Sequence, residues 1–184
     1  MVNEIFKDAN DRMIKVIEHY SIEVASIRTG RANPGLVESV KVDYYGSMSP
    51  LKNISQISTP EPQVILIQPF DPNILALIEK AIQNSDTGLT PSNDGNVIRL
   101  NIPALTEERR KEYVKLAHHL IEEGRVAIRN IRRDSNEGLK KLNKSNDLSD
   151  DNLQRALDDI QELTNKNIGE LKKILEAKEK EILD

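Results

Sequence analysis

Apolar residues recur at steps of three and four along the N-terminal part of the chain, which is the pattern of one helix face. They are Phe6, Ala9, Met13, Val16, Tyr20, Val24 and Ile27. The pattern predicts a first helix that ends near Thr29 and Gly30, because glycine commonly terminates helices.

Two longer patterns of the same kind occupy residues 106–144 and 149–184. The first forms a heptad-like seam. Its members are Val114, Ala117, Ile121, Gly124, Ile128, Ile131, Ser135, Gly138 and Leu142. The hydroxyls of Thr106 and Ser149 are placed to cap the two helices, and acidic residues follow each of them. Helices of this length need partners along their whole length, so we predict an elongated three-helix bundle.

The middle of the chain differs, because all eight prolines lie between Pro34 and Pro103. Proline interrupts helix interiors and marks turns and strand edges. Residues 37–44, 64–67 and 97–102 read as strands. Residues 71–82 read as a short helix that begins with a cap and a proline at its first position. We therefore predict an α+β protein in which residues 1–30 and 105–184 form the bundle and residues 31–104 form a small inserted domain.

The two chain crossings between these predicted domains are a candidate hinge, since one contains glycine and the other proline. Motion between domains is the default where a small interface is expected. The predicted hinge residues are Thr29, Gly30, Arg31, Pro103, Ala104 and Leu105.

The composition narrows the cellular setting. The chain has no cysteine, which excludes disulfides, a thiolate nucleophile and thiolate-bound zinc. Its first residues lack the apolar core of a signal peptide, and no run approaches the roughly 18 apolar residues of a membrane span. We expect a cytoplasmic protein that neither is exported nor enters a membrane.

The residues that could take part in catalysis or metal binding do not have the spacing that either function requires. His118 and His119 are adjacent and must point in different directions on a helix, so they cannot chelate one metal. The segment GRANPG at 30–35 lacks the Lys-Ser/Thr of a phosphate-binding loop. Adjacent carboxylates on the helices are expected to be solvated. We predict no catalytic residue, no metal site and no cofactor.

The net charge of −4 conceals a segregation. Residues 106–144 carry 11 basic and 7 acidic side chains, whereas residues 145–184 carry 6 and 11. In the basic segment, helical spacing places Arg125, Arg129 and Arg132 on one stripe. Lys111, Lys115 and His118 continue that stripe toward the start of the helix.

Two interpretations of this arginine stripe stay open from the residues alone. Guanidinium groups suit phosphate, because their planar fork makes two parallel hydrogen bonds, so the stripe could bind RNA. The other interpretation is a set of salt bridges to acidic residues of the third helix. Those residues are Asp150, Asp151, Asp158, Asp159 and Glu162.

Base stacking is not expected to contribute. The chain has only four tyrosines and two phenylalanines, and Tyr44 and Tyr45 should face opposite sides of a strand. A stacking platform for single-stranded RNA is therefore poorly supported, and any RNA contact should be with backbone and shape.

Four segments, taken in order and at their spacing, resemble the ribosome recycling factors. They are SIRTGRA at 26–32, YYG at 44–46, LTEERRK at 105–111 and RVAIRNIRRD at 125–134. The resemblance covers essentially the whole chain. It implies an L-shaped, tRNA-like protein in which a three-helix bundle and a β/α/β domain are joined by a flexible double hinge.

The resemblance also implies a function and partners. The factor acts after termination with elongation factor G, which hydrolyses GTP, to split the ribosome into subunits and free mRNA and tRNA. The bundle lies across the A and P sites of the large ribosomal subunit and grips ribosomal RNA, while the inserted domain faces elongation factor G. The implied RNA-binding residues are Arg28, Arg31, Arg110, Arg125, Arg129, Arg132 and Arg133. We expect a monomer.

The main alternative is a coiled-coil structural protein or co-chaperone-like adaptor that binds protein through its bundle. Self-association without ribosome binding would favour that alternative. An enzyme is a more distant alternative, which would need an activity independent of any ribosome or GTPase.

Overall fold

The computed structural model describes residues 1–184, which divide into two compact units, Met1–Thr29 with Glu107–Asp184 and Gly30–Thr106. The α-helices are α1 Val2–Ala25, α2 Leu51–Ile54, α3 Leu75–Gln83, α4 Glu107–Lys144 and α5 Asp150–Leu183. The strands are β1 Lys41–Tyr44, β2 Ser47–Pro50, β3 Ser55–Glu61, β4 Val64–Pro69, β5 Pro91–Asn93 and β6 Ile98–Asn101. The predicted α+β class, a long helical bundle with a small β-rich domain, is confirmed.

The first unit is the bundle of α1, α4 and α5. At 38 and 34 residues, α4 and α5 are about 57 and 51 Å long at 1.5 Å per residue. Buried side chains from all three helices form one continuous core. Its most enclosed members include Met13, Ile121, Ile128, Leu139, Ile160 and Leu171. A helix as polar as α4 is stable here because its apolar stripe is covered along much of its length.

Three buried polar side chains of this bundle hydrogen-bond to backbone carbonyls of their own helices. The hydroxyls of Ser135 and Thr164 donate to the carbonyl oxygens of Ile131 and Ile160, at 2.9 and 2.8 Å. The side-chain amide of Asn167 donates to the carbonyl oxygen of Leu163 at 2.8 Å. Because each donor has a partner, these residues can lie in the core without a large desolvation cost.

The predicted heptad-like seam is confirmed in the middle of α4 and shifts near its end. Ala117, Ile121, Gly124, Ile128, Ile131 and Ser135 are all buried. After Ser135 the buried position is Leu139, while Gly138 and Leu142 are only half-buried. The reason is that a step of four follows a step of four at this point, so the buried face rotates slightly around the helix.

The end of α1 differs from the prediction. The helix ends at Ala25 rather than near Thr29 and Gly30. The Ser26 hydroxyl donates to the Glu23 carbonyl at 2.6 Å, and the Ile27 amide donates to the Val24 carbonyl at 3.1 Å, which tightens the last turn.

Gly30 has a different role from that of a helix stop. Its φ is +74°, a conformation that favours glycine. A Cβ at this position would lie 3.1 Å from both the backbone nitrogen and Cγ of Leu105. The two crossing segments therefore run side by side here, and only glycine allows that close approach without strain.

The second unit combines a hairpin, a four-stranded sheet, the single-turn helix α2 and the longer helix α3. Strands β1 and β2 form a two-stranded antiparallel hairpin, and the larger sheet has the antiparallel order β3-β4-β6-β5. Ile65 pairs with Leu100 and Ile67 with Ile98 across β4 and β6. The buried residues of α3 share a core with those of the strands, and this core has no residue in common with the bundle core.

The predicted helix of this unit is confirmed. It opens with a 3-10 turn, Pro72–Ile74, which continues into α3. The Asp71 carboxylate accepts a hydrogen bond from the Asn73 amide at 2.9 Å, so Asp71 caps the turn as its position before proline predicted.

The predicted first strand is too long. Residues 37–40 are not extended, because a 3-10 turn, Pro34–Leu36, precedes them and the amides of Val37 and Glu38 donate back to the Pro34 carbonyl. Only Lys41–Tyr44 pairs as a strand. Strands β2, β3 and β5 were not predicted, since they are short or mostly exposed and carry no apolar alternation.

The prediction that Tyr44 and Tyr45 face opposite sides of a strand is wrong. Tyr45 is no longer in the strand: its φ is +50°, and that of Gly46 is +86°. Tyr45 and Gly46 therefore form the tight turn of the hairpin. The Tyr44 and Tyr45 rings therefore meet edge to face, with 4.7 Å between their centroids. The exposed Tyr45 hydroxyl donates to Asp71.

Candidate nucleic-acid interface

The arginine stripe lies on α4 beside the buried seam. Ile128 and Ile131 face the core, and this fixes the neighbouring positions Arg125, Arg129 and Arg132 along one edge of the helix. The Arg125 side chain is 24% exposed and that of Arg129 is 47% exposed. The aliphatic stems are thus partly covered while the charged heads reach the surface.

A glutamate in the same stripe holds two of these arginines. Arg125 Nη1 donates to Glu122 Oε2 at 3.1 Å, and Arg129 Nη1 donates to Glu122 Oε1 at 3.3 Å. The hydrogen bond from Arg125, followed by that from Arg129 and the positive charge of both arginines, lowers the pKa of the Glu122 carboxyl. Glu122 is therefore ionised at neutral pH and shared by two guanidinium groups.

The next two arginines are placed differently. Arg132 is half-buried, and its Nη1 donates to Gln161 Oε1 of α5 at 3.0 Å. Gln161 is neutral, so Arg132 keeps its full charge. Arg133 is exposed and makes no hydrogen bond or ion pair within the chain. Both cations are therefore uncompensated by a bonded carboxylate.

These contacts count against one of the two interpretations of the arginine stripe, the set of salt bridges to the third helix. Salt bridges to the acidic face of α5 do not form: neither Arg125, Arg129, Arg132 nor Arg133 bonds a carboxylate of that helix. Asp158 instead accepts from Gln154 at 2.9 Å, and Asp159 and Glu162 are exposed and make no ion pair. The charge segregation between α4 and α5 is thus not neutralised across the helix pair, which favours an external anion as the stripe's partner.

The N-terminal continuation of the stripe is only partly available. Lys111 and Lys115 are exposed. His118 is paired with Glu179 of α5, so it belongs to the contact between the two helices.

The remaining predicted arginines lie apart from the stripe along the chain. Arg28 is exposed just beyond the end of α1, and Arg31 is exposed near the start of the second unit. Arg110 is half-buried in the first turn of α4, about 22 Å along the helix from Arg125 at 1.5 Å per residue. Its Nε atom is buried without a hydrogen-bond partner. The structure thus brings Arg125, Arg129 and Arg132 together along one edge of α4, and Arg133 is exposed on the neighbouring side of the same helix.

The sequence analysis did not predict the roles of Glu122 and Gln161, which accept hydrogen bonds from the arginines of the stripe. Glu122 could have been found, because it stands three and seven residues before Arg125 and Arg129 on the same helix face. Gln161 could not, since its contact with Arg132 depends on how α5 is aligned against α4. Arg12 was also missed; its Nη2 donates to Asp134 Oδ2 at 2.9 Å and ties α1 to α4.

The structure contains neither a membrane-spanning helix nor a cluster of metal-binding side chains. No helix combines the length and apolar character needed to cross a membrane. No cluster of three or more histidine, aspartate or glutamate side chains could hold a metal ion.

Comparison with protein families and relatives gives one consistent result. The family described as "Ribosome recycling factor" matches residues 20–183. The ribosome-recycling factor of Syntrophomonas wolfei subsp. wolfei is 52% identical over 184 residues, covering 100% of both chains. That of Halothermothrix orenii is 50% identical over the same length, with the same coverage.

Solved structures agree with the sequence comparison. A solution structure of a ribosome recycling factor aligns with a TM-score of 0.80 at 47% identity, covering 99% of this chain and 97% of its own. A second structure models the T. thermophilus ribosome recycling factor and the E. coli elongation factor G bound to the E. coli post-termination complex. Its matching chain has a TM-score of 0.67 at 45% identity and is covered completely, as is this chain.

Proposed function

The chain belongs to the ribosome recycling factor family, and from this premise we propose that it disassembles the post-termination ribosome together with elongation factor G and GTP. The products are separated subunits, free mRNA and free tRNA. The chain is a non-enzymatic translation factor, and elongation factor G hydrolyses the GTP. It acts on ribosomes, and we place it in the cytoplasm as a monomer.

The bundle anchors the factor to RNA of the large ribosomal subunit at the A and P sites. The observation that carries this assignment concerns two arginines of α4: Arg132 and Arg133 have no bonded carboxylate, although α5 carries several exposed carboxylates. Unneutralised guanidinium groups on a rigid helix suit phosphates at fixed positions. Arg28, Arg31 and Arg110 are proposed as additional, separate contacts.

Recognition through phosphates explains how a chain of net charge −4 can bind RNA. Phosphate contacts are local, so the charge of the helix face that meets the RNA matters more than the net charge of the chain. They also read the position of the RNA backbone rather than its sequence. Each such contact releases counterions from the RNA, so the affinity should fall steeply as salt rises.

The two-unit architecture supports a lever. We assign residues 1–30 and 105–184 to the ribosome-bound bundle, and residues 31–104 to a domain that faces elongation factor G. The hinge comprises the crossings at 29–31 and 103–105, where Gly30 permits the close passage of Leu105. A push on the second domain is then transmitted through the rigid bundle to contacts between the ribosomal subunits.

The test is subunit splitting, followed by light scattering after purified protein is added to post-termination ribosomes. We expect splitting only when the protein, elongation factor G and GTP are all present, because this chain supplies the lever and its partner supplies the energy. A non-hydrolysable GTP analogue is the control for the energy source. Splitting without elongation factor G, or none with all components present, would contradict the proposal.

A further inference from the structure

Glu122 occupies the space between two arginines of the stripe in the manner of a bound anion. Its two oxygens each accept from a different guanidinium group, Arg125 at 3.1 Å and Arg129 at 3.3 Å. Two non-bridging oxygens of an RNA phosphate present the same pair of acceptors to the same donors. The carboxylate therefore marks where a phosphate could bind.

We propose that Arg125 and Arg129 form one phosphate site that Glu122 closes in the free protein, and that RNA opens it by displacing the Glu122 carboxylate. This inference rests on the proposed function, since it names the ligand group and the internal competitor of the same surface. Glu122 then sets the affinity of the stripe without touching RNA itself.

The exposure of the three side chains shows which of them can move. The Glu122 side chain is 53% exposed, so its carboxylate can turn into solvent at little cost. The Arg125 side chain is only 24% exposed and is held by its surroundings. Exposed ion pairs are weak, and a polyanion carrying many phosphates can replace one. The Arg125 guanidinium therefore stays in position when the carboxylate leaves, whereas the Arg129 side chain, at 47% exposed, can adjust to the incoming phosphate.

The two halves of the stripe differ in consequence. Arg132 and Arg133 need no carboxylate to be displaced before they bind a phosphate, because neither is bonded to one. Arg125 and Arg129 bind only when Glu122 is displaced, and the displaced negative charge remains near the phosphate. Glu122 thus weakens binding to any RNA. The free energy needed to displace its carboxylate is offset most fully where several phosphates contact the stripe at once.

The experiment compares Glu122→Gln with the unaltered protein in equilibrium binding to purified large ribosomal subunits at several potassium chloride concentrations. Glutamine keeps the size of the side chain and removes its charge. We expect binding about two- to fivefold tighter, the scale of a weak exposed ion pair. We also expect log affinity to fall more steeply with log salt, by up to about 0.7 to 0.9, because the variant has no displaced negative charge beside the phosphate.

The matched control is Glu162→Gln on α5, which removes one exposed carboxylate that pairs with no arginine. Its affinity and salt dependence should equal those of the unaltered protein. An equal gain in both variants would mean a general charge effect and would overturn the inference. Unchanged or weaker binding by Glu122→Gln would also overturn it, and weaker binding would make Glu122 a residue that positions the arginines.

A second comparison separates this inference from the proposed function. In a chain that already carries Arg125→Ala and Arg129→Ala, the Glu122→Gln change should have no effect on binding. The arginine substitutions could weaken binding while Glu122→Gln alone changes nothing. In that case Glu122 does not compete with RNA, but the arginine stripe still binds RNA. If substitutions at Arg125, Arg129 and Arg132 all leave binding unchanged, the stripe itself is wrong.

Discussion

Gly124 of α4 lies where a side chain from each of the other two long helices packs against α4. A Cβ on Gly124 would lie 3.1 Å from Leu171 Cδ1 of α5 and 3.2 Å from Tyr20 Cδ2 of α1. Both neighbours are fixed by the core, because Leu171 is fully buried and Tyr20 packs against the same cluster. A side chain at position 124 would therefore push against two helices at once.

Gly124→Ala should lower the free energy of unfolding of the bundle by about 1 kcal/mol, since overpacking costs more than the better helix propensity of alanine gains. Gly169→Ala is the matched control, because a Cβ there meets no atom within 4 Å. That variant should gain about 0.5–1 kcal/mol. Urea unfolding followed by far-UV circular dichroism measures both. A stabilised Gly124→Ala would show that the helices can separate freely at this level.

Lys178 is a charged residue on the inner face of α5, with only 8% of its side chain exposed. Its Nζ donates to the carbonyl oxygen of Ala25, the last residue of α1, at 3.3 Å, and pairs with Glu181 at 3.6 Å. Burial lowers the pKa of the Lys178 ammonium, and the Glu181 charge opposes this only in part. The neutral amine is therefore more favoured in the folded state than in the unfolded state.

The free energy of unfolding should consequently rise through Lys178 as the pH increases from its lowered pKa toward 10.5, the value of the unfolded chain. Lys178→Met should lack this rise. Tyr20, whose pKa burial raises, acts in the opposite direction but is present in both proteins and cancels in the difference. Urea unfolding of both proteins across this pH range gives that difference, and a constant difference would contradict the account.

For single residues, the sequence predicts where the arginines lie on the helix better than it predicts their hydrogen-bond partners. Helical spacing alone places Arg125, Arg129 and Arg132 on one edge, and the structure agrees. Whether each arginine is free depends on contacts such as that of Gln161, which lies on another helix. Such contacts follow from the alignment of whole helices, so local spacing does not reveal them.

At the element scale, long amphipathic helices are predictable because many residues repeat the same signal. The helices α4 and α5 form where the patterns predict them, although the buried face of α4 shifts at Leu139 and that of α5 includes the polar residues Asn167 and Lys178. Short strands such as β2 and β5 repeat no signal, and pairing with neighbours determines them. The early end of α1 follows from hydrogen bonds of Ser26 and Ile27 that the helical pattern does not encode.

The start of α5 tests one predicted element boundary. The Ser149 hydroxyl accepts from the Asn152 amide at 3.3 Å, which confirms the predicted cap. Ser149→Ala should lower the free energy of unfolding by about 1 kcal/mol, because it leaves that amide without its side-chain partner. Ser149→Asp keeps an acceptor and should remain close to the unaltered protein in the same urea titration. Equal loss in both variants would show that the hydroxyl is not acting as a cap.

At the scale of the whole molecule, the two units have separate hydrophobic cores. Every member of the bundle core lies outside residues 30–106, and every member of the second core lies within them. The ends of the second unit are adjacent, since Gly30 packs against Leu105. A short linker can therefore span the gap that its removal would leave.

A chain in which a short Gly-Ser linker replaces residues 30–106 should keep its helical circular dichroism and bind large ribosomal subunits with similar affinity. It should not split post-termination ribosomes, because the part that faces elongation factor G is gone. It should also inhibit splitting by the full-length protein. Splitting by the bundle alone would refute the lever, whereas loss of helical structure would refute the independence of the cores.

In the proposed function, arginines of α4 hold the bundle to ribosomal RNA. Co-sedimentation with purified large subunits across a salt titration tests it, with Arg132→Ala beside Gln161→Ala. Both variants lose the hydrogen bond between α4 and α5, but only the first loses the charge. We predict that binding of the unaltered protein falls steeply with salt, that Arg132→Ala binds more weakly with a shallower salt dependence, and that Gln161→Ala matches the unaltered protein. Unaltered protein that stays in the supernatant at low salt, or binding insensitive to both salt and the loss of Arg132, would contradict the claim.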